Sequence, residues 1–169
     1  MLRRFPLPLL LVVLLWTLFA AYVWMSAAQL PERVATHFGA GGEPNGWMTR
    51  TEHVRFMLIS GLAVAAFVIG IFATMPHFGD GWVNLPHKDY WLAPERRQDS
   101  FDFLQRHGFW FAGMFIAFLA LIHHSILAAN ARTPVRLPAS EVGWIAGVFL
   151  VAAFVWVAIL LRRFSRKPA

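Results

Sequence analysis

Cysteine is absent from the chain, which excludes disulfides, thiolate metal sites and a cysteine nucleophile and leaves the redox compartment undetermined. No His-x-x-x-His or His-Glu-x-x-His pattern occurs in the sequence, so a helical zinc-hydrolase motif is also missing. There is no internal repeat and no low-complexity tract. What the chain does contain is apolar: 58% hydrophobic residues, with 16 Phe and 8 Trp among 169 positions. That argues against a soluble fold and for residence in a bilayer. The net charge of +6 does not indicate nucleic acid, because the basic residues sit beside apolar runs rather than along one polar face.

Four runs, residues 7–28, 54–75, 108–129 and 142–161, are long enough to cross a hydrocarbon core that needs about 20 residues. The fold class expected is therefore all-α, an integral membrane four-helix bundle forming one domain over 1–169. The first run could be mistaken for a signal peptide, with Ser26, Ala27 and Ala28 as a small-residue cleavage pattern. It is too long for an h-region of about 7–15 residues and carries Trp16, Tyr22 and Trp24, so a retained helix is expected. The connection over 130–140 is short and polar, which predicts an antiparallel pairing of the last two helices, the fourth capped by Ser140. Gly143 and Gly147 form a Gly-x-x-x-Gly pair on that helix, read here as an intramolecular packing face.

Lys and Arg sort by side. Arg3, Arg4, Lys88, Arg96, Arg97, Arg106, Arg162, Arg163, Arg166 and Lys167 fall on one side; Arg33, Arg50, Arg55, Arg132 and Arg136 fall on the other. Both termini and the 76–107 segment are thus expected in the cytoplasm, and the 29–53 loop outside. Within 76–107, Pro94 and Glu95 read as a helix start that runs straight into the third span.

The most informative stretch is 30–47, LPERVATHFGAGGEPNGW. Two prolines and four glycines stop a helix there. Pro44, Asn45 and Gly46 have the order of a tight turn, and Thr49 with Glu52 forms a capping box that should start the next helix.

Thr36, His37, Gly42, Gly46 and Trp47 resemble the signature of a bacterial membrane domain of unknown function, family 1648, found alone and at the N-terminus of SdpI-like immunity and signalling proteins. The 84–97 stretch, NLPHKDYWLAPERR, is similar to a second segment of these proteins, except that His87 stands where a small polar residue such as Asn is expected. The resemblance covers about 5–107. No SdpI-type C-terminal half with further helices is seen, so the resemblance does not by itself carry the immunity function over.

Three readings of function follow. The leading one is a non-enzymatic protein of the bacterial cytoplasmic membrane that binds or senses a peptide, toxin or envelope component through His37, Glu43, Asn45 and Trp47. The second is a metal-dependent membrane enzyme or small transporter using His37, His53, His123 and His124, with zinc or another divalent ion as its cofactor. Adjacent histidines point about 100° apart on a helix, so one of His123 and His124 should face the bundle. The third is an accessory subunit of a larger membrane complex. Lys88, Tyr90, Trp91, Arg96 and Arg97 would contact a cytoplasmic partner or lipid headgroups. No spacing among His77, Asp80, His87, Asp89, Glu95, Asp99, Asp102 and His107 marks an acid–base pair, and no catalytic residue is assigned. The bilayer is the partner implied throughout, with a peptide or second membrane protein beside it and no nucleic acid.

Overall fold

The computed structural model describes residues 6–166; Arg3, Arg4 and Lys167, which entered the charge count, lie outside them. Its elements in order are α1 (Pro6–Ser26), β1 (Arg33–Phe38), β2 (Pro44–Thr49), α2 (Arg50–Thr74), the short α3 (Lys88–Trp91), α4 (Pro94–Asn130) and α5 (Ala139–Phe164). Four helices are long and apolar enough to cross a membrane. Their outer faces carry large apolar side chains, such as Leu18, Phe67, Trp144 and Phe154, that water would not tolerate and lipid would. This is the architecture of a multi-pass membrane protein.

One part of the expected fold is corrected. The chain is not all-α, because 30–47 folds into a two-stranded antiparallel sheet. Its turn is not at Pro44–Gly46, which belongs to β2. The chain reverses at Gly39–Glu43 instead, where the Gly39 N–H donates to the Glu43 carbonyl and the Gly42 N–H to the Gly39 carbonyl, both at 2.9 Å. Gly42 has φ +86, a left-handed conformation that a side chain resists. Pro44 opens its strand, a position where a missing donor is tolerated.

The capping box forms as the sequence predicts: Glu52 N–H donates to Thr49 Oγ1 while Thr49 N–H donates to the Glu52 carboxylate. Pro94 likewise stands in the first turn of α4. At about 1.5 Å per residue, this 37-residue helix is roughly 55 Å long, well beyond a hydrocarbon core of about 30 Å. Its first turns therefore stand clear of the span that follows. Ser140 does not cap α5; Pro138 holds that position and Ser140 lies inside the first turn.

α1, α2 and α4 form the tight core, through Val12, Phe19, Val23, Met57, Phe109 and Ile116. Gly108 lets α4 approach α2, since a Cβ there would meet Phe72 at 2.3 Å. α5 is the most exposed of the four. It is tied to α4 by a reciprocal pair, His107 Nε2 with the Trp156 carbonyl and Trp156 Nε1 with the His107 carbonyl, both 2.9 Å. A Cβ at Gly143 or Gly147 would meet nothing within 4 Å. The glycine pair is therefore not an intramolecular packing face.

At one end of the bundle, Phe164 packs with Trp91, Phe101 and Leu104, and the Trp91 indole donates to the Phe164 carbonyl at 2.7 Å. At the other end lie the β-hairpin and the connection between α4 and α5. Leu137 N–H donates to the Gly42 carbonyl at 3.0 Å, and Arg136 reaches Glu43 at 3.0 Å and the Gly41 carbonyl at 2.8 Å. The hairpin is thus anchored rather than free.

Candidate site at the hairpin end of the bundle

A side-chain amide ties the first strand of the hairpin to α4. Asn130, the last residue of α4, accepts from the Ala35 N–H through Oδ1 and donates to the Ala35 carbonyl through Nδ2, both at 2.9 Å. Its side chain thereby occupies the edge of β1 that β2 leaves unpaired. Val34 and Leu30 pack beneath, against Ile126.

Gly46 faces His37 across the sheet, where β1 carries a bulge. A Cβ on Gly46 would lie 2.8 Å from the His37 Cβ, so glycine makes room for the histidine. The His37 Nδ1–H donates to Asn45 Oδ1, since an amide oxygen can only accept. Its Nε2 has no partner among the described residues. Trp47 lies under the Arg33 guanidinium, 5.3 Å from the ring centroid, and Glu43 is held by Arg136. The four residues expected to bind a ligand share this hairpin, but Glu43 is spent on the α4–α5 connection.

Beside β1 a cavity of about 600 Å³ opens, lined by residues 36–40 of the hairpin and by Ile122, Ser125, Ile126, Val142 and Ile145 among others. It is apolar, with Thr36, His37 and Ser125 as its polar groups. Gly143, expected to pack against another helix, lines this space instead.

Below the hairpin a polar chain crosses the core. Ser26 Oγ lies 2.6 Å from the Tyr22 carbonyl, which can only accept, so the hydroxyl proton goes there. Ser26 must then accept from His123 Nε2–H at 2.8 Å. That leaves His123 Nδ1 as the acceptor for His53 Nε2–H at 3.1 Å. Counting donors fixes both tautomers and gives one direction of donation, from α2 through α4 to α1. His53 and His123 are each 1% exposed or less, and their rings stack at 5.2 Å. His124 points away, to the Tyr22 hydroxyl at 3.0 Å. Only His123 of the adjacent pair faces the core, as helical spacing requires.

The proposed metal set is therefore divided. His53 and His123 bond to each other, His124 lies on another face and His37 belongs to the hairpin. No group of three His, Asp or Glu side chains that could hold a metal occurs among the described residues.

The residues expected to contact a cytoplasmic partner are largely used within the molecule. Trp91 is 4% exposed and lies under Arg163 at 4.2 Å, so its ring is removed from that surface. Arg96 covers Tyr90 at 4.0 Å, and Arg97 pairs with Asp80 at 3.1 Å. Lys88 lies in α3, half-buried. Among the histidines and acidic residues named for 76–107, Asp80 is engaged by Arg97, Asp102 by Gln98 and His107 by Trp156.

Residues 9–60 match the domain of unknown function DUF1648. The match takes in most of α1, the hairpin and the start of α2, hence Tyr22, Ser26, His37 and His53. His123, Asn130 and Arg136, which complete the polar chain and anchor the hairpin, come from outside it. An uncharacterized protein of Archaeoglobus fulgidus is 40% identical over 63 residues, 37% of this chain and 32% of its own. The chain thus spans about a third of the length of that relative. No solved structure matches.

Sequence reasoning missed Ser26, Asn130 and Arg136. Their partners lie 97, 95 and 93 residues away in the chain, and no local pattern marks such contacts.

Proposed function

We propose that this chain is a non-enzymatic protein of the bacterial cytoplasmic membrane, with both termini inside, whose outward DUF1648 hairpin binds an extended, apolar peptide segment of a toxin or envelope component. The resemblance to the domain at the head of SdpI-like immunity proteins suggested this class. The observation that carries it is the 600 Å³ cavity bordered by β1. β1 has a strand on one edge only, and Asn130 satisfies just Ala35 on the other. An added peptide strand gains main-chain hydrogen bonds from such an edge, while apolar pockets select its side chains. His37, through the unpartnered Nε2, supplies an acceptor at the mouth.

Cross-linking in cells tests this. A benzophenone amino acid at Thr36 or Val142 should capture a product of defined mass that the same group at Trp82, at the opposite end, does not. Filling the cavity with Gly143→Trp should abolish that product. Identical products from all three positions would exclude a ligand of this cavity.

A further inference from the structure

A second cavity, of about 420 Å³, opens between α1 and α2 at the hairpin end. Arg50 and Arg55 line it with Trp24, Ala27, Val54 and Leu58, and no Asp or Glu does. The other arginines at this end are occupied: Arg132 by Glu141, Arg136 by Glu43, and Arg33 over Trp47. Arg50 and Arg55 form no ion pair among the described residues. The Arg50 Nε is buried without a hydrogen-bond partner, an arrangement that is unfavourable until an acceptor arrives. Glu52, beside them in sequence, is turned back onto Thr49 in the capping box.

Depth matters as much as charge. Both arginines stand near the start of α2, and Leu58 lies roughly 12 Å further along the helix from Arg50. Trp24 is exposed at the same end, where amphipathic rings mark the headgroup level. We infer that this cavity is a site for a phosphate ester carrying an apolar chain, an anionic phospholipid of the leaflet on the hairpin side. The two guanidinium groups hold the phosphate oxygens by charge-assisted hydrogen bonds, and Ala27, Val54 and Leu58 receive the first methylenes of the chain. The site shares no lining residue with the cavity beside β1, so either assignment can fail alone.

Full-length protein stripped of lipid in detergent, then offered phosphatidylglycerol, phosphatidylcholine or inorganic phosphate, tests it by native mass spectrometry. Each basic residue near a surface favours anionic lipid by roughly fivefold. Wild type is expected to prefer phosphatidylglycerol over phosphatidylcholine by at least that factor, and Arg162→Gln, at the other end, to keep the preference. The Arg50→Gln, Arg55→Gln protein should lose it. Arg55→Gln alone, an exposed side chain, should weaken it by roughly fivefold and covers a folding defect caused by changing Arg50. Equal retention of the two lipids, or a preference that survives in both variants, overturns the inference. Inorganic phosphate bound by wild type without any lipid preference, and lost in Arg55→Gln, would overturn the lipid and assign the site to free phosphate.

Discussion

A methyl group at residue 42 would meet two obstacles at once: a backbone held at φ +86 and the Leu137 carbonyl oxygen 2.4 Å from the new Cβ. Gly42→Ala is therefore expected to destabilise the protein by about 1–3 kcal/mol, the usual scale of such strain, seen as a lower thermal midpoint in detergent. His87 presents the opposite case. It too is left-handed, at φ 51, but it is a histidine in a conformation that Asn adopts more readily. The histidine at this position thus carries strain, and His87→Asn should raise the midpoint. A fall would mean that the histidine ring contributes more than its backbone costs. His123 has a larger role, as donor to Ser26 and acceptor from His53. Interhelical hydrogen bonds within membranes contribute about 0.6 kcal/mol each, with a maximum near 1.7. His123→Ala also leaves buried His53 without its acceptor, so a loss of roughly 1–3 kcal/mol is expected. Ser26→Ala should cost less, because it removes one link at the end of the chain.

Elements local in sequence were legible in it, and contacts between distant elements were not. The capping box at Thr49 and Glu52, the proline start of α4 and the four apolar helices each depend on residues within a few positions of one another. The hairpin was not legible, because Pro44-Asn45-Gly46 has the composition of a turn and only pairing with β1 makes it a strand. Gly46 is there for the His37 side chain, not for turn geometry. The metal reading failed to assemble for a similar reason: four histidines on one side of a bundle need not converge, and here two bond to each other. Gly108 sets the distance between α2 and α4. Gly108→Ala should force Phe72 aside and lower the thermal midpoint, by about 1–3 kcal/mol as in other overpacked cores. Combining it with Phe72→Leu should recover part of the loss. Strict additivity of the two changes would contradict direct contact.

The two ends of the molecule are built differently. At one end, Trp91, Arg163 and Phe164 close the bundle with internal contacts, and a cavity of about 520 Å³ opens beside them between α4 and α5, lined by Phe103, His107 and Trp156 among others. At the other, the hairpin is lashed down by Asn130 and Arg136, yet leaves two cavities open beside it. In our proposal the ligand meets the hairpin end, because a cavity there borders a strand edge, and the distribution of Lys and Arg is read as facing that end out of the cell. Because the chain has no cysteine, a single introduced thiol reports its side without interference. The deciding measurement is labelling of Asn45→Cys in intact cells with a membrane-impermeant maleimide, beside Asp99→Cys. The account predicts that Asn45→Cys reacts at once and Asp99→Cys only after the membrane is permeabilised. The reverse order would place the hairpin in the cytoplasm and contradict an envelope-facing binding site.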